Sequence, residues 1–212
     1  MRLFVALYPP PAALDDLAAE LARLRIGAAT ARGVNVRLPA RDTIHITLAF
    51  LGDVDDDRLP RVRTALGRVA ERWSAQRSQA VCTSPATLRE SGGSPSAAPL
   101  IRLGGGGRFG RGRFTILWVG LAGEVEPVRR LTAGIRRELR AHRLPYDQRP
   151  WRPHLTVARP GDRIPSKDVT ADRAALDEYQ GPLWPVTEMV LVRSHLGPRP
   201  VYHRIDAWPL GS

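Results

Sequence analysis

The chain has 212 residues, 43% of them hydrophobic, with a formal net charge of +11 and a pI near 11.2. That length and hydrophobic content support one sizeable packed core, which excludes a disordered or fibrous protein, and no apolar run reaches the roughly 18 residues of a membrane-spanning helix. The basic balance favours polyanionic partners, nucleic acid first and an acidic membrane surface second, with an Arg-rich composition of no functional meaning as the alternative because Arg is spread along the whole chain.

Arg2 to Tyr8 reads as a buried strand. Pro9, Pro10 and Pro11 break it and start a helix, in which Leu14, Leu17, Ala18, Leu21 and Leu24 recur at helical spacing as far as about Arg25. The short apolar opening is too brief for a signal-peptide core. Gly27 to Gly33 is expected to turn, and Val34 to Leu38 to form a strand ending at Pro39. Thr43 to Leu51 is the next strand. Gly52 and Asp53 end it, and Asp55, Asp56 and Asp57 suit the positive start of a helix whose inner face carries Leu59, Val62, Leu66, Val69 and Trp73.

Ala80 to Leu88 reads as a strand. Residues 90–113, rich in Gly and Arg, read as a flexible loop, with a basic arm touching RNA as the lesser reading. Gly104 to Gly107 lacks the Gly-Lys-Ser/Thr end of a P-loop, so no nucleotide-triphosphate site is expected. Phe114 to Leu121 is a strand, and a helix from Glu124 buries Val128, Leu131, Ile135 and Leu139. Pro153 to Ala158 is a second short apolar strand. Gly161 to Ala175 is expected to be loop with at most one helical turn. Pro185 to His195 and Val201 to Leu210 are expected to form a hairpin across Gly197–Pro200. The order describes an α+β chain with an approximate internal duplication and mostly antiparallel pairing.

The duplication is sharpest in two short strings, His45-Ile46-Thr47-Leu48 and His154-Leu155-Thr156-Val157. Residues i and i+2 of a strand share a face, so each His stands beside a Thr. Two such pairs across a cleft would supply an acid, a base and two hydroxyl donors. Two unrelated edge histidines are the alternative. His142, His195 and His203 form no tight cluster of ligand types with these pairs, so no metal and no cofactor is expected. His142 suits a helix C-terminus; His195 and His203 flank the hairpin and could approach one another or the cleft. Cys82 is alone, so no intrachain disulfide forms and a reducing cytoplasm is the expected setting.

These strings, within His45–Gly52 and Arg152–Arg159, together with the opening Met1–Leu7, Leu191–Pro198 and the closing Tyr202 and Trp208–Leu210, resemble the two-histidine phosphoesterase superfamily. The resemblance is to the bacterial and archaeal RNA 2′,3′-cyclic phosphodiesterases, also called 2′-5′ RNA ligases, and it covers nearly the whole chain. It implies one bilobal domain over 1–212, with antiparallel sheets lining a central cleft and helices outside. The approximate lobes are 1–90 and 114–212, with soft boundaries because terminal strands can pair into the opposite lobe. It implies His45 as proton donor to the leaving 3′ oxygen and His154 as proton acceptor from water, opening a 2′,3′-cyclic RNA end to a 2′-phosphate without a metal.

Thr47 and Thr156 would hold phosphoryl oxygens. The family carries an Arg five residues after the second His, here Arg159. Strict alternation puts Arg159 on the wrong face unless the strand ends or bulges after Val157. Arg152 shares the face of His154 by parity. Phe50, at the matching place in the first motif, either stacks on a base or belongs to the core. The implied partner is RNA ending in a 2′,3′-cyclic phosphate, met by a monomer away from membranes. ATP-independent 2′-5′ ligation and non-catalytic binding of RNA ends are the alternatives. The chain departs from the family at Pro39–Thr43, where an Asn is usual, and near Val36 and Arg37, where a Trp is usual.

Overall fold

A computed structural model of the chain describes residues 1–83, 98–195, 197 and 200–211, without the side chains of 78–83. Among them the elements run β1 (Arg2–Leu7), α1 (Pro11–Arg23), α2 (Arg25–Ala31), β2 (Ile46–Asp53), α3 (Leu59–Thr83), β3 (Leu100–Phe109) and β4 (Ile116–Gly123). They continue with α4 (Val125–Ala141), β5 (Leu155–Ala158), α5 (Ser166–Glu178), β6 (Trp184–Pro185), β7 (Glu188–His195) and β8 (Val201–Pro209). The strands form two antiparallel sheets, ordered β2-β1-β7-β8 and β5-β4-β3-β6. The mixed helix-and-strand fold with antiparallel sheets is the one expected.

β1 is apolar on both faces because both are covered. Leu3, Val5 and Leu7 enter the large core, while Phe4 and Ala6 join a smaller cluster with Val190 and Val192, edged by Tyr8, Phe50 and Tyr202. A strand buried on both faces must pair on both edges, since unpaired backbone groups there would be stranded without water. β2 takes one edge and β7 the other. The first sheet is thus drawn from both ends of the sequence. α4 shows the force holding the helices: Val128, Leu131, Ile135 and Leu139 are buried, each contributing about 1.5–3 kcal/mol of apolar burial.

Several expectations need correction. The turn at Gly27–Gly33 is mostly α2, whose first N–H groups, Arg25 and Ile26, donate to the two carboxylate oxygens of the fully buried Asp172 at 2.9 Å each. That acceptor comes from α5, a helix that replaces most of the loop expected over 161–175. Its buried face mixes Val169 and Leu176 with Asp172, so the apolar stripe that marks a helix in sequence is thin. The strand at 34–38 reduces to a single bridge, Arg37 with Arg159.

α3 runs on through Thr83, so 80–83 are helical; 84–88 lie outside the described residues. Within the Gly/Arg-rich stretch 100–109 form β3, between β4 and β6 in the second sheet, while 98–99 and 110–113 are irregular or turn and 90–97 lie outside the described residues. Its glycines serve close packing. A Cβ on Gly107 would come within 1.9 Å of the Trp118 ring, and one on Gly106 within 2.6 Å of the α5 backbone. In the hairpin, β7 and β8 pair along their length.

Candidate active site

His45 and His154 occupy equivalent places, each one residue before its motif strand. Each ring is held the same way. His45 Nδ1 lies 2.7 Å from the Thr43 carbonyl oxygen, and His154 Nδ1 lies 2.8 Å from that of Arg152. A carbonyl only accepts, so Nδ1 carries the proton and donates, which leaves Nε2 of each ring to take up or release a proton. Arg152 therefore contributes through its backbone; its side chain is exposed.

The walls are aromatic. Phe4 stacks on His45 with centroids 4.6 Å apart, Tyr202 meets it edge-on at 5.3 Å, and Tyr8 stands 6.1 Å away. Phe109 meets His154 edge-on at 4.9 Å, with Trp118 at 6.2 Å. Burial pushes the His45 imidazole below its ordinary value; the carbonyl of Thr43 opposes this, and the charge of His154 adds to it.

The threonines follow. Thr47 pairs with Ala6 of the smaller cluster, and Thr156 pairs with Trp118, which flanks His154. Both threonines are half-buried on the face of their histidine. Each motif strand then bulges. Val5 pairs with Ala49 and Ala6 with Thr47, leaving Leu48 extra; Leu117 pairs with Ala158 and Trp118 with Thr156, leaving Val157 extra. Consecutive buried residues, Leu48–Ala49 and Val157–Ala158, record the same change of phase. A bulge restores the next outward residue to the motif face. This brings Phe50 and Arg159, both five positions after a histidine, back to that face. Phe50 is half-buried on the smaller cluster, with the Arg2 guanidinium 4.7 Å above its ring. Arg159 is exposed; burial raises the Tyr202 hydroxyl pKa, and the charges of Arg159 and Arg2 pull it back.

The two motif strands are stitched reciprocally. Ahead of the second motif, Asp147 N–H donates to the Phe50 carbonyl at 2.8 Å and Trp151 Nε1 to that of Thr47 at 2.9 Å. Ahead of the first, Arg37 exchanges backbone hydrogen bonds with Arg159. The remaining histidines stay away. His142 ends α4 with Nε2 3.3 Å from Arg68, and His195 and His203 meet edge-on at 5.0 Å on the sheet face opposite Tyr202. Among the described residues no group of three or more His, Cys, Asp or Glu could hold a metal ion, and no helix is long and apolar enough to cross a membrane.

Sequence reasoning missed Phe4, Tyr8, Tyr202, Phe109, Trp118 and Trp151 as parts of the site. Parity within β1 would have found Phe4, but only the sheet order shows that Tyr202 stands over His45.

A duplicated antiparallel scaffold that presents one anchored imidazole and one threonine from each motif strand is the arrangement of a two-histidine phosphoesterase. The chain belongs to the 2′-5′ RNA ligase superfamily, which matches it over residues 9–198. A Thermus thermophilus protein named RNA 2′,3′-cyclic phosphodiesterase is 30% identical over 220 residues, covering 99% of this chain and 90% of that protein. A solved structure from Thermus thermophilus superposes with a TM-score of 0.63 at 26% identity, covering 99% and 98% of the two chains. LigT of E. coli, solved with NADP+, gives a TM-score of 0.65 over 100% of this chain and 98% of its own; at 20% identity that likeness concerns the fold.

Proposed function

We propose that this phosphoesterase opens RNA 2′,3′-cyclic phosphodiester ends to 2′-phosphomonoesters by metal-independent acid–base catalysis. The observation that carries the reading is the matched pair of imidazoles, each with Nδ1 tied to its own chain and Nε2 free. The name of the Thermus relative supports the substrate class. In the reaction, His154 Nε2 takes a proton from water as its oxygen bonds to phosphorus. His45 Nε2 gives its proton to the 3′ oxygen as the P–O3′ bond breaks. Thr47 and Thr156 hydroxyls and the Arg159 guanidinium donate to the non-bridging oxygens, where charge gathers in the transition state.

The depressed pKa of His45 works against its holding a proton in the free enzyme. The bound phosphodiester, an anion, reverses this by favouring imidazolium. The acid is thus charged chiefly when substrate is present.

The test is hydrolysis of an oligonucleotide with a 2′,3′-cyclic end after treatment with a chelator. Retained turnover to a 2′-phosphate is expected. Loss under chelation would defeat the metal-free mechanism, and a 3′-phosphate product would exchange the roles of the histidines. The family's description favours a second reading, 2′-5′ joining of RNA ends by the reverse reaction, which microscopic reversibility allows with the same residues. Incubating a 2′,3′-cyclic end with a 5′-hydroxyl end at high concentration tests it. Pure binding of RNA ends, suggested by the +11 charge, would survive loss of both histidines and is removed by any turnover.

A further inference from the structure

The cleft does not end at His45. Beyond Tyr8, a cavity of about 360 Å³ opens between the two sheets. Tyr8 and the proline run Pro9–Pro11 form one wall, Trp184 of β6 faces them from the second sheet, and Thr187, Glu188 and Arg204 close the remaining side. Its first wall is one ring removed from His45, with centroids 6.1 Å apart. The Arg204 guanidinium lies 5.2 Å over the Tyr8 ring and is ion-paired with Glu188. Neither Arg204 nor Glu188 is used in the proposed reaction.

The chemistry of this cavity differs from that around the phosphate. Arg204 is neutralised by Glu188, so the cavity has little net charge with which to hold a phosphate. What it offers is a stacked aromatic and guanidinium surface, proline walls that contribute no N–H groups, and donor and acceptor edges from Arg204, Glu188 and Thr187. That combination takes a flat, apolar-faced heterocycle with polar edges: a nucleobase. Position narrows the choice. In the proposed reaction the 3′ oxygen of the cyclic phosphate meets His45 Nε2, and Tyr8 stands between that ring and the cavity, whose other lining includes Trp184.

Resting on the proposed function, we propose that the cavity bounded by Tyr8, Trp184, Glu188 and Arg204 binds the nucleobase one step 5′ of the cyclic end. The enzyme is then built for the end of an RNA strand, and a free cyclic mononucleotide leaves this cavity unfilled.

The experiment compares a 2′,3′-cyclic mononucleotide, the corresponding dinucleotide, and a dinucleotide whose upstream base is replaced by hydrogen. The wild type should favour the intact dinucleotide by about tenfold in kcat/KM, and the abasic form should behave like the mononucleotide. Arg204→Ala and Thr187→Trp, the second filling the cavity while keeping the ion pair, should each bring the dinucleotide-to-mononucleotide ratio near one. Thermal unfolding checks that both variants fold. No preference in the wild type, an abasic dinucleotide as good as the intact one, or variants that lower all substrates equally would overturn the proposal. If no substrate turns over, the functional reading fails separately. Fluorescence anisotropy with labelled 3′-phosphate di- and mononucleotides, wild type against Thr187→Trp, then decides whether the base is held.

Discussion

The indole nitrogen of Trp151 donates to the Thr47 carbonyl at 2.9 Å, so the approach to one motif strand is fastened to the middle of the other. The bond fixes spacing between the two halves of the site. Trp151→Phe keeps the ring and removes the donor. It should cost about 0.5–1.5 kcal/mol in urea unfolding, the usual net worth of one such bond. It should also lower kcat more than it raises KM, because a small displacement between acid and base harms proton transfer before it harms binding. A variant with normal kcat would show that the backbone bond of Asp147 suffices.

The histidines themselves should show non-additive losses. His45→Ala and His154→Ala should each lower kcat/KM by about two to four orders of magnitude, the worth of a positioned acid or base. The double variant should fall little further, since the pair acts as a unit. Single-turnover assays of a cyclic-ended oligonucleotide measure this.

The pH profile carries a sign. In the proposed reaction His45 is the acid and must be protonated, and its pKa lies below the ordinary value near 6.5 because it is buried. Its protonated fraction therefore falls as pH rises through that depressed value, and the limb of kcat/KM that His45 sets, which reports the free enzyme, should lie below about 6.5. The same limb in kcat should lie higher, because bound phosphodiester favours imidazolium. Tyr202→Ser removes an edge-on wall and hydrates the ring, so its kcat/KM limb should move up. A limb that stays put would remove burial as the cause.

In the proposed reaction several donors share the phosphate, so single losses should be smaller. Thr47→Val and Thr156→Val should each cost about tenfold in kcat, as one of several donors. Arg159→Lys keeps the charge and loses the fork, and should fall between wild type and Arg159→Ala. Equal losses for Lys and Ala would show that the forked geometry is essential.

Gly107→Ala tests the packing behind His154. The new Cβ would overlap the Trp118 ring, whose other neighbours are Phe109 and His154. A cost of about 1–3 kcal/mol is expected from thermal or urea unfolding, with reduced turnover as the ring is displaced. Unchanged stability would mean that Trp118 has room to turn aside.

The motif strands were legible because their signal is local: alternation, β-branched residues, and His beside Thr on one face. The four buried apolar positions of α4 were legible for the same reason. The second sheet was harder. Gly104–Gly107 carries the composition of a loop, yet its bare backbone makes room for Trp118 and α5, a reason that exists only once those partners are in place. α5 was obscured because Asp172, fully buried, looks like a solvent-facing charge until its bonds to the first turn of α2 are seen. Arg159 and Phe50 depended on bulges at Val157 and Leu48. Alternation alone places both residues wrongly, and the extra residue shows only in the pairing with β4 and β1.

The sheet under His45 also has a consequence for biosynthesis. Its ring rests between Phe4 on β1 and Tyr202 on β8, from opposite ends of the sequence. A chain emerging from the ribosome displays both motifs long before β7 can slide in beside β1 and bring β8 with it. Pairings of such wide sequence separation form late, after the local helices. The unfinished polypeptide therefore holds both histidines before Tyr202 has reached the His45 ring. The aromatic enclosure of His45 is completed only when the last strand docks.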